Sequence, residues 1–485
     1  MGDDWAVVSR QAETYLRLLA EAELRHAVTA ARQEEPERAR MRAWDGLSQV
    51  QYVAAAFVAV DAIDAELAAR IAINLETALE VRFRLDNNGP LLNRLLTAAV
   101  QWSPLRPSPM PAGPPVLPAA SAYPPEPVAM PVGRMLRLSG GDQVTGLYLV
   151  TLVRAPGWAL FNVAGSVSHR VTRGRLLPQL LHRVKLADNR GARYGLQFSG
   201  STHLGMADGW LWVDPAPPPD VEWLEFRDAA GQPMLRINVP PGPIPAAPSH
   251  ADAGWSTPAE RLLDAVAGDL LGHLSYLQEP GYLSRNLDEL VEALSATGLL
   301  PAGSAAPSRL ALLCHRSILG TWTGHALIEA LGTGRLAPTA LPEPWVSLLT
   351  QLGRRDAPKG KRGITSLALV LPDTGAVRFI VTGLSSEPDH ASLSALAIGL
   401  PPAVQLHHSL GLNWAQWFPW WIMDSTGHWH VATVQGFDAR GGELTVFKLR
   451  VTPPLSRLDR RMDLLVPDRS GWLRTSVSLD WTAHV

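Results

Sequence analysis

The residues whose types invite chemistry are few and scattered. His428 and His430 stand two apart, so on a strand their imidazoles share one face, with Asp424 in the turn just before them. Two imidazoles and a carboxylate can begin a metal site, which makes these three the candidate metal residues. No further ligand follows at metal-site spacing, so a plain strand face is the simpler reading. Cys314 and His315 sit inside the apolar run Leu310 to Leu319, where a thiol reads as core rather than nucleophile. Gly332-Thr333-Gly334-Arg335-Leu336-Ala337 has a GxGxxA form, but it follows a helical pattern rather than a strand and reads as a helix stop. His407 and His408 point to opposite faces if extended. Four tryptophans, Trp414, Trp417, Trp420 and Trp421, are the one dense aromatic group. Exposed, they would stack on sugars or fill a protein interface; buried, they would only pack. The run Arg354, Arg355, Lys359, Lys361 and Arg362 reads as a solvated basic loop. There is no Walker A run, HExxH or GxSxG. No catalytic or cofactor-binding residue is therefore assigned, and no cofactor is expected.

Composition narrows the classes. The chain has 485 residues, 46% hydrophobic and 18% charged, enough for several packed cores. A net charge of −2 gives no electrostatic case for nucleic acid or an anionic membrane. A single cysteine excludes an internal disulfide and a Cys-rich metal site. The start Met1-Gly2-Asp3-Asp4-Trp5 lacks a signal-peptide pattern, and the best apolar run, Val53 to Val60, is cut by Asp61 and Asp64. A cytoplasmic location is expected, without membrane contact.

Four blocks alternate along the chain, and their order is helical, β, helical, β. Residues 1–102 predict a helical domain, with Asp64 at an N-cap before Leu67, Ile71, Leu75 and Leu79. Residues 103–133 form a proline-rich linker: eleven of the 28 positions from 104 to 131 are proline, which removes backbone donors and fixes φ. Residues 134–240 predict a β-sandwich of short strands such as Leu147 to Val153 and Trp158 to Val163, separated by turn residues. A second linker spans 241–257. A helical domain over 258–350 opens with the capping box Thr257-Pro258-Ala259-Glu260, and Asn286-Leu287-Asp288-Glu289 marks a second helix start. The basic loop of 351–362 leads to a second sandwich over 363–485.

The halves read as a tandem duplication. Asp188-Asn189-Arg190-Gly191 precedes Tyr194 and then Pro217-Pro218; Asp424-Ser425-Thr426-Gly427 precedes His430 and then Pro453-Pro454. The interval from Asp to the proline pair is 29 and 30 residues in both copies. Trp223 to Phe226 parallels Met462 to Leu465. Ala56 to Asp64 parallels Ala293 to Pro301 at an offset of 237, close to the sandwich offset of 236. Asp-x-x-Gly is a turn in which Asp bonds its own backbone and Gly takes positive φ.

The run Phe418 to Gly427 with Pro453-Pro454-Leu455 and Val477 to Trp481, and the run Ala187 to Tyr194 with Trp212 to Pro218, resemble a group of uncharacterised proteins from high-GC bacteria. Only four of the 43 basic residues are lysine, a bias that fits such a genome. The resemblance implies a fold, helical modules beside sandwich domains, and no activity. The expected fold is multidomain α + β: two small helical domains and two antiparallel immunoglobulin-like β-sandwiches in tandem. The expected function is a non-catalytic cytoplasmic interaction or scaffold protein whose partner is another protein. The alternatives are an enzyme or small-ligand-binding protein with a site between the units, and a carbohydrate-binding surface formed by Trp414 to Trp421.

Overall fold

The computed structural model describes residues 2–84, 127–140, 143–155, 157–166, 176–203, 206–239, 247–253, 257–274, 284–308, 310, 333, 343–353, 363–373, 377–386, 391–400, 417–440, 444–456, 458–468, 471–481 and 483–484. The expected helix of 91–102, most of the proline linker, Cys314, His315, His407, His408, Trp414 and the basic residues 354–362 lie outside the described residues, as does the glycine run 332–337 apart from Thr333. The described helices are α1 (Gly2–Gln33), α2 (Pro36–Ala59), α3 (Ala65–Arg84), α4 (Leu176–Leu181), α5 (Pro258–Leu274), α6 (Ser284–Ala296) and α7 (Glu343–Gly353). Strands β1 (Val128–Gly140), β2 (Gln143–Ala155), β3 (Trp158–Ser166), β4 (Lys185–Asp188), β5 (Arg193–His203), β6 (Met206–Asp214), β7 (Trp223–Arg227) and β8 (Pro233–Asn238) form one sheet. A second contains β9 (Ser249–Ala253), β10 (Gly363–Val370), β11 (Arg378–Ser386), β12 (Ala391–Ile398), β13 (Trp420–Asp424), β14 (Trp429–Arg440), β15 (Leu444–Thr452), β16 (Arg461–Asp468), β17 (Gly471–Ser478) and β18 (Ala483–His484).

The first sheet runs β1-β2-β3-β6-β5-β4-β7-β8 and the second β18-β10-β11-β12-β15-β14-β13-β16-β17-β9, with antiparallel pairing throughout. Set aside β18 and β9, and the eight strands β10 to β17 repeat the order of the first eight. Each sheet folds over on itself. Arg193 and Tyr194 at the start of β5 pair with β4, whereas Gly195 to His203 pair with β6, so β5 leads from one layer to the other. The space between is closed by Leu147, Leu149, Phe161, Leu224 and Phe226, with Leu177, Leu180 and Leu181 of α4 as a plug. The Phe161 and Phe226 rings meet at 5.5 Å. In the second unit Phe379, Phe418, Trp420 and Phe447 fill the same space.

The units meet along a seam. Strands β2, β3 and β6 turn Val153, Leu160, Trp210 and Trp212 towards Ile380, Leu396, Leu444 and Val446 of β11, β12 and β15. These strands are covered on both faces, which is why Leu147 to Val153 is apolar without alternation. Both units carry a bulge at the matching place: Val150 is the extra residue between Leu149 and Thr151, and Thr382 that between Val381 and Gly383. A bulge leaves backbone groups without ladder partners. The fully buried Thr151 hydroxyl answers this by sharing its proton between the carbonyls of Leu367, at 2.6 Å, and Thr382. Asn162 Nδ2 donates to Thr382 Oγ1 at 3.0 Å, and that hydroxyl donates to the Ser394 carbonyl at 3.1 Å.

The structure differs from the sequence reading in several places. The helical segments are not two separate small domains: α1, α2 and α3 share one apolar core with α5, α6 and α7, and this core includes Trp421, Val431 and Leu465 on the outer face of the second unit. The register explains the asymmetry. Trp421 pairs with Leu465, and Lys185 with Arg227 at the matching place in the first unit, so among the described residues this outer face is apolar in the second unit and charged in the first. The stretch 241–257 is not wholly a linker either, because residues 249–253 form β9 and pair with β17. Likewise β1 begins at Val128, inside the expected proline linker. The alignment of the two units also shifts by one residue at one strand. Leu224 lies opposite Asp188 and Met462 opposite Asp424, so Leu224 to Arg227, rather than Trp223 to Phe226, matches Met462 to Leu465.

A Cβ on Gly383 would sit 2.7 Å from Val150 Cγ1 and 2.9 Å from Asn162 Nδ2. Gly383→Val should therefore wedge the seam and cost about 1–3 kcal/mol, read as a lower urea midpoint. An unchanged midpoint would show that the seam is not tightly packed.

Candidate functional site

Three places have the geometry of a site: the Asp424 turn, the tryptophan segment, and a cleft at one end of the seam. At the turn, Asp424 Oδ1 accepts from the Thr426 amide (2.8 Å), the Thr426 hydroxyl (2.7 Å) and the His428 amide (2.8 Å). The structure does bring the candidate metal residues together, since His428 Nδ1 and His430 Nε2 both lie 3.5 Å from Asp424 Oδ2. They do not share a strand face, however. His428 precedes β14, is half exposed, and bonds through Nδ1 to the Thr426 hydroxyl at 2.7 Å. His430 is buried, and its Nδ1 donates to the Pro453 carbonyl at 2.8 Å. Among the described residues no group of three His, Cys, Asp or Glu is arranged to hold a metal ion.

The first unit shows what the turn is for. Asp188 Oδ1 accepts from the amides of Arg190 and Ala192, both at 2.9 Å, and the Tyr194 hydroxyl donates to Asp188 Oδ2 at 2.6 Å. Tyr194 occupies the place of His430. In each unit the aspartate ties its own turn and the residue six positions on. Burial pushes the Asp424 carboxyl up, but the hydrogen bonds from His430, Thr426 and the backbone outweigh it and hold the carboxyl well below the usual range. Asp188 is likewise raised by burial and, on balance, lowered by Tyr194 and the turn amides. Burial, then the bond to Asp188, pushes the Tyr194 phenol up.

The tryptophans are core. Trp420 is fully buried, Trp417 and Trp421 nearly so, and Trp420 Nε1 donates to the Trp417 carbonyl at 2.7 Å. Trp420 stacks on Phe418 at 5.3 Å inside the second unit, while Trp421 faces the helices and meets Trp429 edge-on at 6.4 Å. These three rings offer no sugar-stacking surface, which corrects that expectation for them. Cβ alternation along β13 sends neighbours Trp420 and Trp421 into two different cores.

The cleft, of about 500 Å³, lies where β5 and β6 approach β14 and β15. Two polar bridges cross between the units there: Lys448 Nζ donates to Asp208 Oδ2 at 2.5 Å, and Ser199 Oγ to Asp438 Oδ2 at 2.5 Å. Trp210 and Val446 give it apolar walls, while the Phe437 ring turns to the opposite face of β14 beside Phe447. Gly436, paired with Lys448, leaves one wall bare, and a Cβ built there meets nothing within 4 Å. None of this was read from the sequence, because the bridging residues lie about 240 positions apart; glycines inside strand patterns were the only available signal. A second groove, of about 420 Å³, runs between α1 and the end of α6, with Val7, Thr14, Tyr15 and Leu18 on one side and Ala296 and Thr297 on the other.

No known family model matches the chain, and no curated protein matches it either. No helix among the described residues is long and apolar enough to cross a membrane.

Asp424→Asn should lose about 1–3 kcal/mol at neutral pH, since it breaks the turn's charge-assisted bonds. A lowered folded pKa contributes stability that is present above the unfolded value of about 3.9 and is lost as pH falls through the folded value. The gap between wild type and variant in urea denaturation should therefore hold level above about pH 5 and close in acid. A gap that is absent at pH 7, or that widens in acid, would contradict the assignment.

Proposed function

We propose that this chain is a non-catalytic interaction or scaffold protein of the cytoplasm, built by tandem duplication of a helical-plus-sandwich unit, and that its partner is another protein. The observation that carries the reading is the placement of exposed apolar side chains. Of nine large hydrophobic residues exposed among those described, six lie on α1, α2 and α3: Trp5, Val7, Leu18, Met41, Trp44 and Ile73. On α2, Met41 and Trp44 are three apart and share a face. On α1, Val7 and Leu18 rim the groove towards α6. Apolar concentration on one layer of an otherwise well-buried protein is the mark of an interaction surface. The partner surface is correspondingly apolar.

The non-catalytic reading is supported by the two turns. A tyrosine in one copy does the positional work of a histidine in the other, which fits a structural role better than an acid–base one. Duplication is supported by the repeated strand order and by the matched bulges. The immunoglobulin-like reading is supported by the arrangement β2-β3-β6-β5 over β4-β7-β8, which has the order of an A-B-E-D layer over C-F-G, with β1 added at the edge.

Affinity purification from the native host, comparing wild type with Leu18→Glu/Trp44→Glu, tests the function. Both side chains are exposed, so the variant should keep its thermal midpoint within a few degrees. A stoichiometric protein partner should be present with wild type and lost with the variant. A partner retained by the folded variant would overturn the placement of the surface. A turnover abolished by Asp424→Asn or His428→Ala would overturn the non-catalytic reading.

A further inference from the structure

We infer that the seam cleft is a binding site for a small organic cation, an ammonium or guanidinium group carried on a flat apolar body. The cleft has the size of ordinary small-molecule pockets, which run from about 300 to 1,000 Å³, and both units build it. Among the described residues its charge is unbalanced. Asp208 and Asp438 contribute two carboxylates and Lys448 one ammonium, and that ammonium is bonded to Asp208. Among the described residues, Asp438 receives a neutral hydroxyl, from Ser199, in the bond across the seam. A carboxylate has about four lone-pair positions and is satisfied best by an ionised donor. A cation entering the cleft supplies that donor, whereas an anion would meet Asp438 as a like charge.

The apolar walls select the rest of the ligand. The Trp210 ring lines the same cleft as the carboxylate, the combination that favours cations through both charge and ring quadrupole. Val446 adds an aliphatic patch. Gly436 supplies the room. It stands beside Lys448 on the wall that faces the first unit, and open space lies where its side chain would be. Both cross-unit bridges border the cleft, so a bound cation would tighten the seam by binding only the joined state.

Isothermal titration of the full chain with phenethylammonium, phenylacetate and 2-phenylethanol tests the inference. Phenethylammonium should bind with one site per chain, at least about tenfold tighter than the anion or the neutral alcohol. Asp438→Asn should weaken the cation at least about tenfold while leaving the alcohol unchanged. Gly436→Leu keeps every charge in place and fills the cleft, so it should abolish binding with the thermal midpoint retained; it decides the matter if Asp438→Asn unfolds. No heat with phenethylammonium up to about 10 mM, equal affinity for phenylacetate, or full binding by folded Gly436→Leu would each overturn the site. None of these outcomes depends on the helical interaction surface, so the two readings fail separately.

Discussion

Everything in this molecule hangs on two sheets that have no solvent face where they meet. Strands β2, β3, β11 and β12 are buried on both sides, against their own core and against the other unit. Such strands cannot exist in an isolated unit without exposing a broad apolar surface, so each unit requires its counterpart. Polar groups at the centre of that contact would be costly if unpaired. The bulges at Val150 and Thr382 create the problem, and the chain from Asn162 through Thr382 to Ser394, with Thr151 beside it, resolves it. The same hydrogen bonds fix the register in which the units meet.

A second asymmetry follows from two pairs of side chains. Trp421 and Leu465 make the outer face of the second unit apolar, and both helical segments collect there. Lys185 and Arg227 stand at the matching place in the first unit, beside Glu225, which is bonded to Arg227 and Arg236, while Arg236 lies over the Trp223 ring at 4.1 Å. Charge there replaces helix packing. The helices are held to the second unit by polar contacts as well, Gln351 donating to the Trp429 carbonyl and Arg261 to that of Asp468. The α1–α3 face away from this core carries the exposed apolar residues.

Much of the local structure was legible. The capping box at Thr257 and Glu260 forms in both directions, and Asp64 caps α3 through the Glu66 amide. The Asp-x-x-Gly turns and the pairing of Tyr194 with His430 were readable because an aspartate's bonds to its own turn are local. What the sequence withheld is non-local. β12, Ala391-Ser-Leu-Ser-Ala-Leu-Ala-Ile, has little β-branched or aromatic content, yet all but its last residue is buried between two cores, where small side chains fit. The apolar run Leu147 to Val153 did announce two-sided burial, but not what would cover the second side. Pooling of the helical segments turned on whether Trp421 or Lys185 faced outwards, which register alone decides. The cleft depends on side chains from both units and on the bare backbone at Gly436.

Hydrogen exchange on the amides of β2, β3, β11 and β12 bears most directly on the claim that the two β units stand or fall together. If the seam joins them into one cooperative body, the buried amides of both units should exchange only through global unfolding, at matching free energies and with the same denaturant dependence. Exchange of β2 and β3 through a partial opening, while β11 and β12 stay protected, would mean that the units are independent domains and that the seam is incidental.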